Sequence, residues 1–167
     1  YQEENASCDC LMECDSNGDN NALEPIAHPT LANVTLIGNN DPEKTNGMRL
    51  REGTEVSLYN ALITGKANAL RVESEGTLTA LENGTSVIEY VSISGQLKTS
   101  DENKYSNEDF TAEGKNNLCD QTFSFTDNFV GTVEGGKDLS SEDSFFKKAE
   151  YRGAVSASDN WTAGWTL

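Results

Sequence analysis

The chain has 167 residues, with 12 Lys and Arg against 28 Asp and Glu, for a net charge of −16. Such a surface repels phosphate backbones and anionic headgroups, which excludes nucleic acid and membrane-surface binding as expectations. Mean hydropathy is −0.59, no apolar run reaches the roughly 18 residues of a membrane span, and His28 stands alone, with no Cys/His pair at zinc spacing.

From Tyr1 onward no charged n-region and no apolar h-region appear, so the chain reads as a processed product or a piece of a longer precursor. Cys8, Cys10 and Cys14 lie close together, and Cys119 is over 100 residues away. The even count and the acidic, Asn-rich composition place the protein in an oxidising, extracytoplasmic setting, secreted or at the cell surface. The simplest pairing is one bridge within the N-terminal cluster and a long one to Cys119; the alternative is four small apolar thiols. Asp15-x-Asn17-x-Asp19 has the oxygen spacing of a calcium loop, although Asn20 and Ile26 stand where an EF-hand needs Gly and Glu. Asp15, Asn17 and Asp19 are the candidate calcium ligands, against an Asx-rich turn without metal.

A repeat follows. Ala32-Asn33-Val34-Thr35-Leu36-Ile37-Gly38 aligns with Tyr59-Asn60-Ala61-Leu62-Ile63-Thr64-Gly65 and with Glu89-Tyr90-Val91-Ser92-Ile93-Ser94-Gly95, the glycines recurring at spacings of 27 and 30. After each glycine comes a variable loop and a second short strand: Met48-Arg49-Leu50-Arg51, Leu70-Arg71-Val72-Glu73, then Leu97-Lys98-Thr99. Apolar and polar residues alternate with the period of two that marks a half-buried strand. Turn residues punctuate the strands at Glu52-Gly53-Thr54, Glu75-Gly76-Thr77 and Asn83-Gly84-Thr85. No amphipathic helical pattern is legible before about residue 139, where Ser140-Ser141-Glu142-Asp143 ahead of Phe145 reads as the start of a short capped helix. Strands repeating every 20–30 residues predict an all-β chain, a right-handed parallel β-helix (β-solenoid) with a C-terminal capping segment; a β-sandwich is the alternative. The division expected is coils over 1–99, an irregular insertion or fold-back over 100–138, and a cap over 139–167.

The register stacks Asn33 over Asn60 as an amide ladder and Arg49 over Arg71 with Lys98 next, with Arg51 beside Glu73 as a cross-coil ion pair. Arg49, Arg71 and Lys98 are the candidate ligand-binding residues for acidic sugars, weighed against a solvated face of charge pairs. Trp161 and Trp165 read as the cap over the open end of the solenoid, or as a sugar-stacking pair. The Asn-x-Ser/Thr sequons at Asn5, Asn33, Asn83 and Asn160 are near the number chance gives in such a chain, and Asn33 and Asn83 read as structural. No catalytic residues are identified: the strands carry no cluster of Asp on neighbouring coils, His28 precedes Pro29 in a turn, and no nucleophile motif surrounds it.

The segments 15–38 and Gly47-Met48-Arg49-Leu50-Arg51-Glu52-Gly53-Thr54, with the ending Tyr151-Arg152-Gly153-Ala154-Val155 and Asn160-Trp161-Thr162-Ala163-Gly164-Trp165-Thr166, resemble secreted bacterial right-handed parallel β-helix proteins. The resemblance implies a pectate-lyase-like fold, motifs drawn from the last coils and C-terminal cap, and earlier coils supplied by a longer precursor or a neighbouring molecule. Most proteins of that kind have no established activity. Two functions are therefore expected: a non-enzymatic structural protein that assembles with itself into a homo-oligomer or head-to-tail filament, or a polysaccharide-binding or pectate-lyase-like β-helix.

Overall fold

The computed structural model describes residues 1–126 and 129–165. Its strands wind three times through the same three directions. The first coil is β1 (Cys10–Cys14), β2 (Thr30–Ala32) and β3 (Thr35–Ile37), and the second is β4 (Asn46–Leu50), β5 (Ser57–Tyr59) and β6 (Leu62–Thr64). The third is β7 (Asn68–Val72), β8 (Ile88–Glu89) and β9 (Ser92–Ile93), after which β10 (Leu97–Thr99) begins a fourth. Every pairing is parallel and joins successive coils, which gives sheet A in the order β1-β4-β7-β10, sheet B as β2-β5-β8 and sheet C as β3-β6-β9. This is the expected parallel β-helix. The fourth coil continues past residue 99, because Leu118 bridges to Ser92 at the edge of sheet C.

Alternation in the sequence sets the core. Met12, Met48, Leu70 and Leu97 form one inward column of sheet A, and Cys14, Leu50, Val72 and Thr99 form the next. Leu58 and Ile88 of sheet B and Ile63 and Ile93 of sheet C close the same apolar cluster, all essentially inaccessible. Flat aliphatic columns suit a bore lined from three sides, since each coil can bury its inner face only against its neighbours. At the fourth coil Tyr105 and Phe110 are fully buried in that cluster; at the first, Met12, Cys14, Leu31, Val34 and Leu36 are only partly covered.

Two corners repeat with the coils. Between sheets B and C the chain turns at Asn33, Asn60, Tyr90 and Asn116, all in the left-handed region at φ 54–56°. Asn tolerates that region better than other side chains. The Asn60 amide reaches Asn33 Oδ1 at 3.4 Å, forming the expected ladder, and Tyr90 ends it. Between sheets C and A, Gly38 and Gly65 approach so closely that a Cβ on either would collide with the other's carbonyl.

Three expectations are corrected. A helix, α1 (Glu75–Asn83), spans the two segments read as turns; it buries Thr77, Leu78, Ala80 and Leu81 and ends on Gly84 at φ 81°. Its apolar stripe is too short for periodicity to separate it from loop, and only the solenoid wall supplies the partner for Leu78 and Leu81. A second short helix, α2 (Asn107–Phe110), is held by a capping box between Ser106 and Asp109. Conversely, no helix forms after Ser140 among the described residues: the amides of Glu142 and Asp143 both donate to the Leu139 carbonyl and the turn goes no further. Of the segment expected as a cap, residues 151–155 run along the side of the solenoid. Residues 131–155 form a strap on the outer face of sheet C, with Gly131 and Gly153 pressed on the Leu62 side chain. Asn60 Oδ1 accepts the Lys137 amide at 2.7 Å, and the Ala154 amide donates to Thr35 Oγ1 at 2.8 Å. Arg152 is buried and donates to Ser92 Oγ at 2.9 Å and to the Gly135 carbonyl at 3.1 Å, its guanidinium over the Tyr90 ring. Asp127 and Asn128 of the expected fold-back segment, and Thr166 and Leu167 of the expected cap, lie outside the described residues.

Candidate functional site

The outward face of sheet A carries the charged columns that the register predicts. Glu13, Arg49, Arg71 and Lys98 stand in one column, and Lys98 is exposed at its end. The arginines are not open cations. Arg49 Nη2 lies 2.8 Å from Glu73 Oε2, and its Nη1 lies 3.1 Å from both Asp9 and Glu13. Arg71 Nη2 takes the other oxygen of Glu73 at 2.7 Å. Burial works against the Arg49 charge, but the hydrogen bond and charge of Glu73, with Glu13 behind it, hold its pKa above the ordinary value. Arg51 does not pair with Glu73 as expected. Its guanidinium turns to the first coil, 2.8 Å from Glu13 and 3.2 Å from Asp15, with Glu52 alongside. Three carboxylates on that side outweigh one already shared by two arginines. Glu73 is thus the hub of the ladder, and the sequence signal for it was its place two residues after Arg71 and level with Arg51.

In the candidate calcium loop, two of the three proposed ligands already have protein partners. Asp15 accepts from Arg51, and Asn17 Oδ1 accepts the amides of Asp19 and Asn20 at 3.0 and 2.9 Å. A 460 Å³ hollow is lined by Asp15 and Asn17 but not by Asp19. Among the described residues no three His, Cys, Asp or Glu side chains converge as metal ligands. His28 faces Glu55 at 3.2 Å, tying one coil to the next.

All four cysteines are free, so neither expected bridge is formed. Cys14 belongs to the first coil and Cys119 to the fourth, three strand spacings of about 4.8 Å apart, whereas a disulfide needs Cα atoms within about 7 Å. Cys10 and Cys14 sit four residues apart on one extended strand, about 13 Å. Burial raises the thiol pKa of Cys10, Cys14 and Cys119 above the ordinary value.

Trp161 and Trp165 do not close the solenoid. They are 55 % and 68 % exposed, with ring centroids 5.7 Å apart, on the flank formed by the strap.

A family model for the pectate-lyase-like beta helix domain matches residues 1–166. No curated protein and no solved structure gives a significant match to the chain. With three parallel sheets stacked coil on coil and a family match over nearly its whole length, the chain belongs to the pectate-lyase-like beta helix family.

Proposed function

We propose that this β-helix is a secreted or cell-surface structural protein, non-enzymatic, that associates with itself head to tail along the solenoid axis. The observation that carries this reading is the complementarity of the two ends of sheet A. β1 and β10 are its edge strands, and an unpaired edge invites another strand. Stacking β10 of one copy on β1 of the next continues the columns of sheet A. Lys98 then stands over Glu13, Leu97 over Met12 and Thr99 over Cys14. The partly covered Met12 and Cys14 gain the cover that their counterparts in inner coils have, while on sheet C the β3 edge is taken by the Gln2 amide, which donates to the Ile37 carbonyl. A contact between unlike ends does not close on itself, so repetition gives a filament. Further coils of the same precursor would satisfy the first-coil edge in the same way.

Acidic-polysaccharide binding by Arg49, Arg71 and Lys98, or pectate-lyase-like action on such a chain, is the weaker reading, because Glu73 already holds both arginines. A uronate carboxylate would have to displace it.

Sedimentation velocity and negative-stain microscopy across protein concentration test the proposal. The expected result is concentration-dependent end-to-end species, lost in Lys98→Glu while circular dichroism and the melting temperature stay unchanged. Monomers alone at all concentrations, or assembly that ignores Lys98→Glu, would overturn it. The same variant tested on polygalacturonate by affinity electrophoresis separates the two readings.

A further inference from the structure

We infer that the flank of the solenoid at the level of its first coil is a binding site for neutral glycan chains, independent of the end-to-end contact. The site is a 220 Å³ cavity between the outer face of sheet C and the strap, with Thr35 and Ile37 on one wall and Ala154, Val155, Trp161 and Thr162 on the other. Phe129 and Tyr1 form its rim, their rings 6.0 Å apart. Trp165 extends the aromatic surface beyond Trp161.

Three features select the ligand. The indoles are fixed: Trp161 Nε1 donates to the Ala154 carbonyl at 2.8 Å, and Trp165 Nε1 donates to the Trp161 carbonyl at 2.6 Å. With both N–H groups held by the backbone, what the rings offer to solvent is their faces. An aromatic face is electron-rich and pairs with polarised C–H groups, and the axial C–H face of a pyranose ring presents a set of these. Second, among the described residues no charged side chain lines the cavity, while the chain as a whole carries −16. A uronate, phosphate or nucleic acid would meet repulsion from the net charge of the chain with no lysine or arginine among the described lining residues to offset it. Third, the hollow is smaller than the roughly 300 Å³ of an enclosed small-molecule site. It takes one sugar ring, with neighbouring rings of a chain running over the exposed aromatics.

The position separates this surface from the assembly edge. Thr35 is the outward residue beside inward Leu36 on β3, and the Ala154 amide sits on its hydroxyl. The cavity therefore faces outward from sheet C, with Tyr1 beside the β3 edge on which the Gln2 amide lies.

The test uses the full chain, intrinsic tryptophan fluorescence and isothermal titration with cellohexaose, mannohexaose and xylohexaose, with polygalacturonate as the charged comparison. The expected result is a saturable change in emission with at least one neutral hexaose and none with polygalacturonate. Trp165→Ala should weaken binding about tenfold or more. Trp161→Phe, which keeps a ring face and loses the bond to Ala154, should retain part of it. Phe145→Ala, at a residue 84 % exposed and outside the cavity lining, should leave affinity unchanged. Absence of saturable binding to all three neutral hexaoses overturns the inference. So does binding undiminished in Trp165→Ala, or a change in sedimentation instead of glycan affinity in that variant, which would make the flank a contact between copies.

Discussion

Replacing Asn60 with alanine tests how the strap is held to the solenoid. The Asn60 side chain is wholly buried and serves two structures at once. Its amide donates to the Lys137 carbonyl at 2.9 Å and to Asn33 Oδ1 at 3.4 Å, and its oxygen accepts the Lys137 amide at 2.7 Å. Alanine orphans both backbone groups of Lys137, at about 1–3 kcal/mol for each group left buried and unpaired. It also forces a residue with less tolerance than Asn into φ 54°, for about 1 kcal/mol more. The strap can relieve part of this by lifting and hydrating Lys137. The net loss should therefore be about 3 kcal/mol, a fall in melting temperature of about 6–12 °C for a chain of this size. Asn60→Gly removes the same side chain without the backbone cost and should be about 1 kcal/mol milder. Urea denaturation gives the free energies, and hydrogen exchange at Lys137 and over 151–154 reports the strap. Losses under about 1 kcal/mol for both variants, with strap protection unchanged, would refute the view that this corner anchors it.

Gly65→Ala should destabilise by about 2–4 kcal/mol in urea unfolding, because its Cβ meets the Gly38 carbonyl and would push two coils apart. Gly84→Ala, with open space around a similar φ, should cost only about 1 kcal/mol. The Asp109 carboxyl is held below its ordinary pKa by hydrogen bonds from the Ser106 side chain and backbone. A depressed native pKa adds stability above the unfolded value and loses it as pH falls through the native one. The acid limb of the urea midpoint should therefore be shallower in Asp109→Asn, and an identical limb would remove that contribution. All four thiols should titrate after unfolding, while native Cys14 reacts slowly near pH 7 and faster as pH rises past its elevated pKa. A ladder of multimers on non-reducing electrophoresis would contradict this, since head-to-tail stacking along sheet A places Thr99 over Cys14 and pairs no two cysteines. Because Arg51 already occupies Asp15, a chelator should shift the melting temperature by less than about 2 °C; a larger fall would establish a calcium site at Asp15, Asn17 and Asp19.

The sequence alone determined the solenoid. Alternation gave each strand its inward side, and the recurrence of Asn33, Asn60, Gly38, Gly65 and Gly95 set the register that the sheets adopt. Both signals are local and repeat with the coil, so a single chain displays them. The Arg49–Arg71–Lys98 column was legible for the same reason. What neutralises it was not: register places Arg51 beside Glu73, but side-chain reach on a crowded face sends Arg51 to Glu13 and Asp15 and leaves Glu73 to Arg49 and Arg71. Helix α1 required the wall against which Leu78 and Leu81 pack. The course of residues 131–155 is wholly tertiary. Its contacts join residues such as Asn33 to Gly153 and Asn60 to Lys137, far apart in sequence and carrying no period. The cover over Leu62, and with it the flank where Trp161 and Trp165 stand exposed, exists only once those distant segments have met.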